Sequence, residues 1–153
     1  MLPLLILVVV ALFDLGRAVF VYNGLTNAVR EGARLAIVNQ DEALIAGRAR
    51  TMAFGIAIDT APADMTSFWR QLPDAGNVKS NERCDGSDRD HPIAVGCIAV
   101  VEAQATWQAI TPIIGGIVGP ITLNARSELP IEFVCPSTSI AAYATSDRCP
   151  AQP

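Results

Sequence analysis

Four cysteines are the residues of this 153-residue chain whose type and placement most clearly indicate chemistry. They are Cys84, Cys97, Cys135 and Cys149, and all lie in loop-like stretches of the second half. An even number of such cysteines is typical of disulfides in an oxidising compartment, and no Cys-x-x-Cys pair supports a zinc site. Three pairings are possible. We favour the local one, Cys84 with Cys97 and Cys135 with Cys149, in which each bond closes a short loop.

Catalytic and metal-binding patterns are weak. Asp85, Asp88 and Asp90 share a polar loop with His91, the single histidine. Their order does not match a calcium-binding EF-hand loop, so a solvated turn is the favoured interpretation. None of the motifs GxxxxGK[ST], HExxH and GxSxG occurs, and no candidate nucleophile has an evident base nearby. We predict that the protein is not an enzyme and uses no metal, cofactor or small-molecule substrate.

The distribution of charge excludes a further class of partner. The net charge is −4, and from residue 51 onward eleven acidic residues stand against six basic ones. A basic surface for nucleic acid is therefore not expected. Hydrophobic residues make up 51% of the chain and charged residues 17%, which indicates that apolar surface is exposed or is buried against something else. Much of this excess lies in the first 38 residues.

The apolar beginning of the chain is long enough to cross a membrane. No charged residue occurs from Met1 to Phe13, and apolar residues resume after Arg17. A helix from Met1 to Tyr22 would be about 33 Å long, against a hydrocarbon core of about 30 Å. A basic segment before the apolar run and a small-x-small cleavage site after it are both missing, so the run does not match a cleaved signal peptide. We predict a single membrane-spanning helix.

Asp14 and Arg17 interrupt this apolar run. They are three residues apart and share one face of a helix, where they can pair. Two interpretations remain open. The pair can neutralise charge inside an apolar environment or a helix bundle, or both residues can simply lie at the outer membrane–water interface.

The same helix continues with two different faces. Asn23, Asn27, Arg30 and Arg34 fall in one narrow polar stripe. Small residues recur at every fourth position on the apolar side, a spacing that lets another backbone approach closely. The contact can be with the chain's own domain or with the helix of another copy. The candidate packing and assembly residues are Leu5, Val9, Ala18, Val21, Gly24, Leu25, Ala28, Gly32 and Ala36.

The remainder of the sequence predicts a small α+β domain. Residues 41–54 form an expected second helix that Asp41 caps. Residues 99–110 and 121–129 alternate between apolar and polar types, so we expect two antiparallel strands joined by an apolar turn or short helix. Between residues 59 and 92 periodicity is lost, with a short helix or strand near Phe68 and Trp69. The predicted organisation is a helix over 1–38 followed by a disulfide-stapled domain over 39–153.

The amino-terminal run also carries a family resemblance. Leu2 and Pro3, the cluster of Asp14, Gly16 and Arg17, and above all "REGAR" at residues 30–34 resemble the signature of TadE-like pilins, the minor pilins or pseudopilins of the tight-adherence (Flp) pilus system. The two alternating strands are similar to the end of TadE-like domains. In that family a glycine at which the precursor is cut, and a glutamate after it, come shortly before the Leu-Pro; here both would fall ahead of Met1.

The resemblance implies a structural role. Such a subunit waits in the cytoplasmic membrane with its carboxy-terminal domain outside, and is then drawn into a cell-surface filament through helix–helix packing. Its expected partners are other copies of itself, other pilins and the pilus assembly machinery in the membrane. The alternative is a single-pass, membrane-anchored extracytoplasmic domain that binds a partner and does not polymerise.

Overall fold

The computed structural model of the protein describes residues 2–71, 78–84, 93 and 96–135. In chain order the elements are α1 Leu2–Ala36, α2 Glu42–Met52, α3 Pro62–Met65, β1 Thr66–Gln71, β2 Val78–Arg83, β3 Cys97–Trp107, α4 Pro112–Val118 and β4 Ile121–Pro130. The predicted α+β class, with a long amino-terminal helix, a second helix and an antiparallel sheet, is confirmed.

The two main helices begin and end close to the expected positions. The 35-residue helix α1 ends at Ala36, two residues before the predicted end. Asp41 caps α2 as predicted, because its carboxylate accepts hydrogen bonds from the backbone N–H groups of Ala43 at 3.0 Å and Leu44 at 3.2 Å. These two donors have no partner within the first turn of the helix, so the side chain of Asp41 replaces one.

The sheet has four antiparallel strands in the order β2-β1-β3-β4. The predicted hairpin is confirmed, since β3 and β4 pair from Trp107 with Ile121 to Ile98 with Pro130. The short helix α4 connects them. Along β3 from Val101 the side chains alternate strictly between buried and exposed, as a strand with one covered face requires. β1 and β2 lie in the region where the sequence shows no periodicity.

The core lies between the second half of α1, helix α2 and the sheet. Leu25 and Val29 of α1, Ile45 of α2 and Val101 of β3 are all fully buried in one cluster. The apolar face that the sequence assigns to the second half of α1 is therefore covered by the chain's own domain.

Disulfides and buried hydrogen bonds close the domain. The predicted Cys84–Cys97 disulfide joins the residue after β2 to the start of β3. Cys135 is buried and disulfide-bonded; its predicted partner Cys149 lies outside the described residues, as does the acidic loop at 85–91. The buried Gln40 side chain donates to the carbonyl oxygens of Ala36 and Phe133 at 2.9 Å each and accepts from the N–H of Cys135 at 2.6 Å.

Candidate functional site: the amino-terminal helix

Helix α1 is divided into two environments. Its first half is bare: the large apolar side chains from Leu2 to Phe20 that are exposed keep between 42% and 73% of their surface accessible. By length and composition α1 is the one helix, among the residues described, that could cross a membrane, and only 6% of its most apolar window of 18 residues is buried. A soluble protein's core helix would be mostly buried, so the first half of α1 needs an apolar environment that the described residues do not supply.

The predicted packing residues divide at the same point. Leu5 and Val9 are exposed on the bare half, while Ala18, Val21 and Gly24 are partly buried. The remaining four, Leu25, Ala28, Gly32 and Ala36, are buried within the domain.

Gly24 and Gly32 show which part of the molecule lies against the small residues. A Cβ added to Gly24 would overlap the side chain of Ile56, and one added to Gly32 would lie 3.2 Å from Val101 Cγ1 and 3.3 Å from Ala49 Cβ. Both glycines thus allow α1 to pack closely on its own domain. The interpretation that reserves them for another copy's helix does not fit these contacts.

The polar stripe faces away from this contact. Asn23, Asn27, Arg30 and Arg34 are all exposed. Arg34 lies 2.9 Å from Glu31, and Glu31 also lies 3.5 Å from Arg48 of α2. The stripe therefore presents amide and guanidinium groups to the surroundings, next to an ion pair that links α1 to α2.

Asp14 makes a contact that its spacing from Arg17 does not reveal. The Arg17 guanidinium is 3.6 Å from the carboxylate, so the predicted pair exists. The carboxylate is nevertheless buried, and it accepts hydrogen bonds from the N–H groups of Ile110 and Thr111 at 3.1 Å each and from the Thr111 hydroxyl at 2.5 Å. Asp14 thus fastens the middle of α1 to the segment between β3 and α4. No local sequence signal points to partners nearly a hundred residues away.

A shallow apolar groove runs along the opposite face of α1. With 100° per residue, Val9, Gly16 and Phe20 lie roughly opposite Asp14. Gly16 opens the groove: in the described part of the chain nothing else lies within 4 Å of the position that its Cβ would occupy. The groove has a volume of about 420 Å³ and is lined by Val9, Leu12, Phe13, Gly16, Arg17 and Phe20. Because most residues around the helix here are apolar, the sequence does not single out this face; it is distinguished only by its position relative to the domain.

Comparison with known proteins bears on this helix. No curated protein and no solved structure matches the chain. A family model described as TadE-like protein matches residues 1–34, which is nearly the whole of α1. The match includes Asp14, Gly16 and Arg17 and ends at Arg34, the last residue of the "REGAR" run. The predicted resemblance is confirmed: over residues 1–34 the amino-terminal helix of this protein is similar to that of TadE-like proteins.

Proposed function

We propose that the protein is a structural, non-enzymatic subunit, a pilin or pseudopilin of a tight-adherence type IV pilus. The observation that carries the proposal is the division of α1. The second half packs closely on the domain at Gly24 and Gly32, and the first half, which only Asp14 is described as bonding to the domain, keeps its large apolar side chains exposed. The TadE-like match over residues 1–34 supports the same assignment.

In the proposed cycle the bare half of α1 lies first in the membrane and then in the filament. Before assembly the bare half of α1 lies in the cytoplasmic membrane, with the domain outside. During assembly it leaves the lipid and packs among the helices of other copies or of other pilins, to form a filament at the cell surface. Lipid and a helical bundle are both apolar, so the same side chains suit both environments.

The apolar groove is the surface of α1 that we assign to assembly. It lies on the face turned away from the domain, and Gly16 gives it room for the side chains of a neighbouring helix. Gly32 cannot serve the same purpose, because the chain's own Val101 and Ala49 fill the space beside it.

Gly16→Leu tests this assignment. The substitution fills the groove, faces no other described atom within 4 Å and adds an apolar group to a membrane-compatible helix, so we expect membrane insertion and the folded domain to persist while filament incorporation is lost. Gly47→Leu is the matched control, because Gly47 lies within α2 and its Cβ position also has no described neighbour within 4 Å. Incorporation is measured by electron microscopy and by the amount of subunit in sheared filaments.

Two results would contradict the proposal. If Gly16→Leu enters filaments as well as Gly47→Leu does, the groove is not the assembly surface. If the unsubstituted chain stays in the membrane and never appears in filaments, the alternative of an anchored binding domain replaces the proposal.

A further inference from the structure

A second apolar surface lies beside α1, at the turn of the β3–β4 hairpin. Ile110, Ile117, Val118 and Ile121 are 70%, 81%, 50% and 39% exposed, and we call these four residues the apolar tip. No Asp, Glu, Lys or Arg occurs from residue 103 to residue 125, and the first charges on either side are Glu102 and Arg126. An exposed patch with this composition needs an apolar partner.

The hairpin places the tip beside the apolar half of α1. At one end Val101 of β3 packs near Gly32, and at the other Ile110 donates its N–H to Asp14. The 18 residues of α1 between Asp14 and Gly32 span about 27 Å, and the nine residues between Val101 and Ile110 span about 30 Å. β3 therefore runs alongside α1 in the opposite direction, and its charge-free end points toward the amino terminus of the helix.

The length of α1 fixes the depth of the tip. From Leu2 to Asp14 the helix rises about 18 Å, and from Leu2 to Tyr22 about 30 Å, which equals the thickness of the hydrocarbon core. A helix that crosses the bilayer from Leu2 has Tyr22, which is 50% exposed, at the far interface, where tyrosine is favoured. Asp14, and Ile110 of the tip, which donates to it, then lie about 12 Å below that interface.

The Asp14 carboxylate and the donors around it at this depth satisfy one another. Backbone donors without a partner are costly in hydrocarbon, and a charged side chain there is costly unless it is paired. Asp14 accepts from the N–H groups of Ile110 and Thr111 and from the Thr111 hydroxyl, and Arg17 lies 3.6 Å from it. The three donors and the carboxylate therefore hydrogen-bond to one another and need no bonds from water.

We propose that the apolar tip is immersed among the phospholipid acyl chains of the leaflet on the domain's side of the membrane. The unassembled subunit then occupies the bilayer with α1 and, beside it, a short wedge formed by α4 and its flanking residues. This inference rests on the membrane anchoring in the proposed function. Lipid is the partner because the tip is continuous with the bare half of α1, is fixed to it at Asp14 and lacks charge.

Quenching of tryptophan fluorescence by brominated phosphatidylcholine tests the inference. The full chain is placed in nanodiscs at one copy per disc, so that no second copy can cover the tip. Three variants are compared with the unsubstituted chain, whose Trp69 and Trp107 give the background. Ile117→Trp reports on the tip, Phe13→Trp on α1, and Leu44→Trp on an exposed position of α2 beside the Gly32 end of the domain.

We expect the fluorescence added at positions 13 and 117 to be lost in brominated lipid, and that added at position 44 to be retained. Loss at position 13 with none at position 117 would overturn the inference while leaving the anchor intact. No loss at position 13 would overturn both. Equal loss at positions 44 and 117 would show a domain lying flat on the membrane, which also contradicts a wedge confined to the tip.

Discussion

Replacing Gly32 by larger residues tests whether α1 packs against the domain of its own chain. A Cβ at this position would lie 3.2 Å from Val101 Cγ1, 3.3 Å from Ala49 Cβ and 3.7 Å from Ile45 Cγ2. For Gly32→Ala the two closest contacts must each widen by a few tenths of an ångström, and this cost offsets the roughly 1 kcal/mol that alanine contributes to a helix over glycine. We expect Gly32→Ala to be nearly neutral.

Gly32→Leu adds three more carbons to a space closed on three sides. The side chain can enter only if α2 or β3 moves, so the loss of stability should reach the upper end of the usual cost of overpacking, roughly 3 kcal/mol. In a chain of this size that corresponds to a melting temperature lower by roughly 10 °C. The assay is a thermal melt of the full chain in mild detergent, followed by near-ultraviolet circular dichroism.

Gly47→Leu is the control for this series, because it makes the same chemical change on an open part of α2. It should melt at or slightly above the temperature of the unsubstituted chain, since leucine favours a helix over glycine. If Gly32→Leu has the same melting temperature as Gly47→Leu, α1 does not pack on its own domain as described. Gly24 and Gly32 would then be free to meet another copy.

Three further predictions concern the links that close the domain. Gln40→Ala removes two buried hydrogen bonds and one partly buried one, and should cost roughly 3 kcal/mol in the free energy of unfolding; an unchanged urea midpoint would mean that the surrounding groups find other partners. The double change Cys84→Ser and Cys97→Ser opens a loop with a sequence separation of 13 and should cost about 3 kcal/mol; a melt insensitive to it would show that the unfolded chain is not restrained by this bond. Asp14→Leu should accelerate hydrogen exchange at the N–H of Thr111 while leaving the centre of β3 protected; equal exchange rates would show that the carboxylate does not fasten the loop.

Helices α1 and α2 and the β3–β4 hairpin could be predicted from the sequence because their signals are local. Asp41 stands directly before α2 as a capping residue, and the alternation of apolar and polar types in β3 reports a strand covered on one face. The short strands β1 and β2 carry no such alternation. They are strands because β1 pairs with β3, and a pairing between distant segments is not encoded in either segment alone.

The candidate site was predictable to a different degree in each half of α1. Small residues at every fourth position indicate a close contact, which at Gly24 and Gly32 is with side chains of the chain's own domain. The spacing alone does not identify that partner. Asp14 is more instructive. The three-residue spacing between Asp14 and Arg17 predicts that their side chains form an ion pair. The hydrogen-bond partners of Asp14, however, are Ile110 and Thr111, which the β3–β4 hairpin brings back to the helix. The groove around Gly16 likewise becomes visible only when the domain has been placed on the other face.

The exposed half of α1 also limits how a subunit can leave a membrane. Twelve large apolar side chains between Leu2 and Phe20 are 42–73% exposed. Full burial of one such side chain is worth about 1.5–3 kcal/mol, so transferring this half of the helix to water would cost on the order of 10 kcal/mol or more. That is comparable with the entire stability of a folded domain, about 5–15 kcal/mol. A free, water-exposed subunit is therefore not a stable intermediate of the proposed cycle. Each increment of α1 that leaves lipid must meet another apolar surface at once, and the groove beside Gly16 is where we expect that surface to bind.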